Sequence, residues 1–421
     1  MQRRYTSLAA AGIATVLTLT LSGCGVGQGD RVTLKLVAAD YGDGTGPGSR
    51  QYWDQLTRAF EKKNPGIKVD VDVYSWKDVD KKVADLVRKD QAPDLAQIGA
   101  YVDYAADGQL YSADELLSIP VQADLQPALA EPGEVDRVQY GIPFAASTRR
   151  LFYNKKLFAE AGITDAPKTW DDIAEDAELL KKHGVKTPYA LPLGPEETQA
   201  ETLNWLLSGG GGYTDEIGKY AIDSPANVKT FTWLRDELVG KGLTGGDPAG
   251  LNRAEAFAGF ADGDVGMLNG HPALIKQAEA KGIDYGTADL PGVHGPAAST
   301  LGVSDWMMAF KRNGHRAQAG KFLDFVYNDS NVLTFSRDFG LLPVTSTAAQ
   351  KMAGDHRFGH LQDFVGPLRD AHFYPANKTS WPDVARSVKS QMGEAVGPKG
   401  DPSSILADLQ NTADAADTAG S

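Results

Sequence analysis

Residues 139–173 read QYGIPFAASTRRLFYNKKLFAEAGITDAPKTWDDI, and the order of signals in that stretch decides how the chain is organised. Gly141-Ile142-Pro143-Phe144 is a short extended run. Ala145 to Arg150 is small and polar, without a helix pattern, and reads as a connector. Leu151 to Asn154 is a second short strand, followed by a helix from Lys155 to Ala161 that Gly162 stops. Pro167 then restrains the backbone and Thr169 caps a longer helix, with Asp172 three residues on completing an approximate capping box. Ile173, Ala177 and Leu180 give that helix its buried face, and Gly184 ends it.

The same grammar extends to both sides. Val32, Leu34 and Leu36 alternate with Thr33 and Lys35 as a strand. A Gly-rich loop from Tyr41 to Ser49 leads to a helix from about Arg50 to Lys63, closed by Asn64-Pro65-Gly66. Ile67, Val69, Val71 and Val73 alternate cleanly with charged residues. A helix near Lys77–Lys89 and an apolar strand near Leu95–Ile98 follow. Strands alternating with helices predict a mainly parallel sheet with helices on its faces, an α/β fold. Downstream, Ser224-Pro225 opens a helix, and Arg253–Ala261 is another. Val265–Leu268 and Trp306–Phe310 read as strands, Ala317–Tyr327 as a buried helix. The small, polar tail from Ala413 is expected to fray.

At 421 residues the chain exceeds what one core organises, so two or more lobes are expected. The net charge of −13 argues against nucleic acid and against an anionic membrane surface as the ligand. Arg3 and Arg4 precede a short apolar run from Leu8 to Leu21, the form of a secretory signal spanning residues 1–23. Leu21-Ser22-Gly23-Cys24 matches the bacterial lipobox. Cys24 is the only cysteine, so neither an intrachain disulfide nor a Cys-based metal site is available. Lipidation at Cys24 would supply two acyl chains, enough for a lasting anchor. Residues 24–30 (CGVGQGD) then form a flexible tether.

The Tyr-Asn-Lys, Ala-Gly-Ile and Pro-Lys-Thr-Trp-Asp-Asp segments of the opening stretch stand in an order and spacing that resemble the bacterial extracellular solute-binding proteins of the maltose-binding type. The resemblance covers Val32 to about Leu409. It implies a two-lobed, type II periplasmic-binding-protein-like fold with discontinuous lobes. By motif order the chain crosses between lobes at Ala145–Ser147, Leu290–Gly295 and Gly340–Pro343. Residues 31–145 and 296–340 would form the N-terminal lobe, and 148–289 and 343–412 the other. The implied function is a monomeric, cofactor-free receptor anchored at Cys24 on the extracytoplasmic face of the cell membrane. It would capture a carbohydrate, an oligosaccharide, and deliver it to an ABC importer with permease subunits and a cytoplasmic ATPase. At the Ser147 position the family's acidic residue is absent.

Catalytic motifs come out empty, so no enzyme is expected. Gly302-Val303-Ser304-Asp305-Trp306 lacks the last glycine of a nucleophile elbow, and no glycine cluster is followed by Lys-Ser/Thr. His356 and His360 sit four apart without an accompanying Glu, a poor metal site. No carboxylate pair stands out as the acid and base that a glycosidase needs. A glycerol phosphate or a polyamine remains an alternative ligand on the same fold; a phosphate would call for several Arg or Lys, and the loops supply mainly Arg149.

A sugar ring needs flat aromatic platforms and polar groups aimed at its hydroxyl rim. Loops at the carboxyl ends of parallel strands are where such groups converge. Tyr41 follows the first strand, Tyr74 and Trp76 the second, Tyr101 and Asp103 the third. Ser147 and Arg149 lie on the connector, and Glu197 and Gln199 follow a strand near Tyr189–Leu193. Asn269 and His271 follow the strand at Val265, matching the family's ligand loop. Asp305 and Trp306 lie after Gly302, Tyr374 precedes a late helix and Trp381 heads it. Trp53, Trp170, Trp205 and Trp233 fall inside helical patterns and are assigned to the core.

Overall fold

In chain order the strands are β1 (Val32–Ala39), β2 (Ile67–Tyr74), β3 (Leu95–Ile98), β4 (Glu134–Val135), β5 (Val138–Gln139), β6 (Ile142–Thr148), β7 (Arg150–Asn154), β8 (Thr187–Tyr189), β9 (Val265–Gly270), β10 (Tyr285–Ala288) and β11 (Gly302–Ala309). The computed structural model describes residues 31–42 and 48–419; the signal, Cys24 and the tether lie outside these residues. The alternating strands at the start of the chain build one sheet. β1 lies between β2 and β3 and is parallel to both, with Val32 opposite Ile67 on β2. The order is β2-β1-β3-β11-β6, with β11 antiparallel to both neighbours. The helix Ser49–Lys63 covers this sheet through Tyr52, Trp53, Leu56 and Phe60, one face at helical spacing. A second sheet runs β10-β7-β9-β8, with β7 antiparallel to β10 and β9. Its helices bury Trp170, Trp205 and half-buried Trp233 as one aromatic cluster with centroids 5.0–5.9 Å apart.

The capping box at Thr169 forms as the sequence indicates, with the Asp172 N–H donating to the Thr169 hydroxyl (3.1 Å) and the Thr169 N–H to the Asp172 carboxylate (2.9 Å). The helix Lys155–Ala161 ends at Gly162 in the left-handed region, at φ 77°.

The crossings differ from the expectation. Ala145–Ser147 is not a connector but part of β6, where Ala145, Ala146, Ser147 and Thr148 pair with Asp305, Ser304, Val303 and Gly302. All four are buried. Their small, polar character hides a strand because the partner that makes it one lies more than 150 residues away. The chain passes to the second sheet at Arg149. There the Arg149 N–H donates to the Thr300 hydroxyl (3.2 Å), which itself donates to the Arg149 carbonyl (2.9 Å). His372 completes the junction: its N–H donates to the Thr300 carbonyl (2.9 Å), and its carbonyl accepts from Gly302 (2.8 Å). Leu290–Gly295, expected as the second crossing, is a closed turn held against the second sheet's helix by the Trp170 N–H (2.9 Å to the Gly292 carbonyl). Gly340–Pro343, expected as the third, stays with the first sheet through the bridge of Leu342 to Ala146. The short helices between Ser346 and Asp370 then pack on β6 and on the helix Pro127–Ala130, so residues 343–370 do not belong with the second lobe.

The tail is also better ordered than its composition suggests. Pro402–Ala419 is a helix whose Leu406, Leu409 and Ala413, spaced as one helical stripe, are buried against the helix Trp381–Gln391. The expected strand at Tyr189–Leu193 is instead β8, ending at Tyr189, and the strand expected at Trp306 begins at Gly302.

Candidate functional site

A cleft of about 480 Å³ opens between the two sheets, over the junction at Arg149. The first lobe contributes residues just past its strand ends: Tyr41 after β1, Trp76 after β2, Tyr101 after β3. Ser304, Asp305 and Trp306 come from within β11, where a register irregularity between Asp305 and Trp306 turns the strand. The second lobe contributes Glu196, Glu197, Gln199, Arg253 and His271, and the late chain adds Phe373, Tyr374 and Trp381.

Charge on the second wall is largely matched. Arg149 is buried; it donates to the Ser147 hydroxyl (3.1 Å) and pairs with Glu197 (2.8 Å). Arg253 pairs with Glu196 (2.6 Å) and Glu197 (2.5 Å) and lies over the Phe257 ring. His271 faces Arg253 at 3.4 Å. Burial, then the two guanidinium charges, push its imidazole well below the ordinary histidine range, so it is neutral and offers a hydrogen-bonding nitrogen.

On the first wall the Tyr41 hydroxyl donates to Asp305 (2.8 Å) and accepts from Gln97 (2.7 Å). Burial, offset in part by the Tyr41 hydrogen bond and augmented by Asp80 and Glu197, pushes the Asp305 carboxyl up to about 7. Asp80 accepts from the backbone of Gly99 and Ala100, both at 3.1 Å. Trp76 stands edge-on to Tyr41 (5.3 Å) and, at 36% exposed, is the most open indole of the cleft. Trp306 packs on Tyr101 (5.2 Å) and is only 2% exposed. Tyr374 stacks on Trp381 at 5.5 Å with an interplanar angle of 18°.

Residues 45–332 match the family model described as bacterial extracellular solute-binding protein. The chain belongs to that family. A binding protein of Brucella abortus (strain 2308) is 28% identical over 392 residues, covering 92% of this chain and 93% of the relative. The diacetylchitobiose binding protein DasA of Streptomyces coelicolor is 26% identical over 368 residues, with 83% and 84% covered. The crystal structure of a cyclic alpha-maltosyl-1,6-maltose binding protein from Arthrobacter globiformis superposes with a TM-score of 0.77 at 20% identity, over 93% of this chain and 100% of that one. The fold is the two-lobed, type II periplasmic-binding-protein architecture. The family is described as extracellular, and the location is extracytoplasmic.

In this solute-binding protein twelve of the fifteen residues expected at the site line the cleft: Tyr41, Trp76, Tyr101, Ser147, Arg149, Glu197, Gln199, His271, Asp305, Trp306, Tyr374 and Trp381. Three do not. Tyr74 ends β2 half-buried against the first lobe's core, under the Lys82 ammonium (5.3 Å). Asp103 sits in the first turn of the short helix Val102–Ala106 and lines a separate depression beside Arg88 and Tyr104. Asn269 lies within β9, two residues before His271, and donates to buried Glu201 (3.0 Å). Asp80, Glu196, Arg253 and Lys389 line the cleft without having been singled out. Asp80 and Arg253 occupy first turns of helices, where the direction of a side chain depends on packing; Glu196 could have been found as the neighbour of Glu197. Among the described residues no group of His, Cys, Asp or Glu could hold a metal ion, and no helix is long and apolar enough to cross a membrane.

Glu201 lies beneath the cleft floor, accepting from Trp205 (2.8 Å) and Asn269. Burial pushes its carboxyl up to about 7. An acid whose folded pKa is raised binds more protons in the fold than in the unfolded chain. Its contribution to stability is therefore complete below the ordinary glutamate range and lost as pH rises through about 7. Glu201→Gln keeps an acceptor for Trp205 and removes the buried charge. The variant should be more stable than wild type at alkaline pH, by up to about 3 kcal/mol, and indistinguishable in acid. Denaturant unfolding across that range checks it; the same pH slope in both proteins would reject the assignment.

Proposed function

We propose that this solute-binding protein captures a carbohydrate, an oligosaccharide, in the interlobe cleft, closes around it and hands it to an ABC importer. The observation that carries this is the cleft's composition: aromatic rings on both walls, Trp76 and Tyr41 on one, Tyr374 and Trp381 on the other, interleaved with hydrogen-bonding side chains. Flat apolar surface with a polar rim matches a sugar ring. A relative named for diacetylchitobiose supports the same class. An anionic ligand such as a glycerol phosphate is disfavoured, because Arg149 and Arg253 already hold carboxylates. Those same pairs leave Glu196 and Glu197 engaged, which supports binding without hydrolysis.

Contacts on both lobes create the difference in affinity between open and closed forms that drives closure. Calorimetry over a panel of oligosaccharides tests the reading. With the best binder, Trp76→Ala should cost on the order of 1–2 kcal/mol of affinity, roughly ten- to thirtyfold, at unchanged stability. Solution scattering should show a smaller radius of gyration with ligand. Absence of binding to every sugar, or identical scattering curves with saturating ligand, would reject the proposal.

Lipid anchoring at Cys24 belongs to the same reading, supported by the lipobox and the single cysteine. Cys24→Ala should release the protein into the medium. A variant retained on the membrane as fully as wild type would remove the anchor from the account.

A further inference from the structure

The charges of the cleft do not balance. Arg149 and Arg253 are matched by Glu197 and Glu196. The first wall adds two carboxylates, Asp80 and Asp305, and neither makes an ion pair among the described residues; their hydrogen bonds come from backbone N–H groups and the Tyr41 hydroxyl. Lys389, on the opposite helix, is the remaining cation and acts on Asp80 from a distance. With His271 neutral and every carboxylate ionised, four carboxylates face three cations; burial holds Asp305 near the midpoint of its titration at neutral pH, and a cation beside it would complete its ionisation.

The surface between the two free carboxylates is aromatic. Tyr41 places its hydroxyl on Asp305 and its ring against Trp76. Asp80 and Trp76 flank one point: a Cβ on Gly99 would lie 3.5 Å from Asp80 Oδ2 and 3.8 Å from the Trp76 indole. Two carboxylates with aromatic rings between them form a surface suited to an ammonium group, through charge pairing and the attraction of a cation to an aromatic ring. Lobe closure around a neutral sugar would either strip water from the Asp305 carboxylate or drive it to take up a proton, whereas an ammonium group would keep it ionised and paired.

Resting on the carbohydrate reading of this cleft, the geometry points to an amino sugar as the ligand: a carbohydrate with a free, protonated amine seated on the first wall between Asp305, Tyr41 and Trp76. The repulsion of Asp305 by Asp80 and Glu197, only partly offset by Arg149, is relieved by that cation.

Calorimetry on the purified full-length protein near neutral pH, with matched ligands, tests this. Chitobiose is compared with cellobiose and diacetylchitobiose, and 6-amino-6-deoxymaltose with maltose. At least one amine-bearing member should bind about tenfold or more tightly than its hydroxyl counterpart, with the advantage shrinking at high salt. Asp305→Asn should bring the ratio of amine to hydroxyl affinity most of the way back to one. Asp80→Asn, whose amide oxygen still accepts from Gly99 and Ala100, should reduce it independently and covers a misfolded Asp305 variant. Hydroxyl or acetylated sugars binding as tightly as the amines would overturn the inference and leave the carbohydrate reading intact. Binding of putrescine with no sugar bound would overturn the carbohydrate reading and keep the charge match. No binding by any of these ligands would overturn both.

Discussion

Truncating Trp306 to alanine should destabilise the protein by about 3–5 kcal/mol, the range for removing a large aromatic side chain from a packed core. Sequence position suggested an open stacking platform. The structure instead closes the indole in: it is 2% exposed, packed on Tyr101, and approached so tightly by the backbone that a Cβ on Gly133 or Gly141 would lie 3.0 Å from its ring atoms. Trp306 therefore acts on the cleft as the rigid backing of its first wall. Denaturant unfolding measures the loss, and Trp306→Phe should recover about half of it. A loss under about 1 kcal/mol would mean that the ring is not part of the core.

Glu197→Ala should cost on the order of 3 kcal/mol, because it leaves Arg149 buried with only the Ser147 hydroxyl as a side-chain partner. Arg253 tolerates the same change, since Glu196 remains to it. The discriminating experiment is the double variant Arg149→Met, Glu197→Ala. Removing both members abolishes the uncompensated charge, so more than half of the lost stability should return. A double variant no more stable than Glu197→Ala would show that the cost comes from packing at the junction.

The local elements were readable because their causes are local. The stop at Gly162, the box at Thr169 and Asp172, and the alternation from Ile67 to Val73 each depend on residues a few positions apart. The crossings were misplaced because Ala145–Thr148 becomes a strand only when β11 arrives beside it. Site residues followed a similar rule. Strand ends lead to the cleft, and Tyr41, Trp76, Tyr101 and His271 line it. They do not indicate which way a side chain turns at the strand's last residue or in the turn that follows, and Tyr74 and Asp103 face elsewhere. Asp80, Arg253 and Lys389 reach the cleft from helices whose rotation about their own axes is fixed by the cores beneath them.

The place of β11 in the first sheet also sets an order of events for a newly made chain. It inserts between β3 and β6, strands whose residues are complete by position 148, yet β11 begins at Gly302. Until about three-quarters of the sequence has emerged, β3 and β6 each present an open edge, while the strands of the second sheet are already all present. Exposed edges invite pairing with other chains, and contacts so distant in sequence form slowly. Of the two sheets, the one that begins the protein is thus the last to be completed. A chain interrupted before Gly302 should aggregate through its first lobe, with the two unpaired edges as the sticky surfaces.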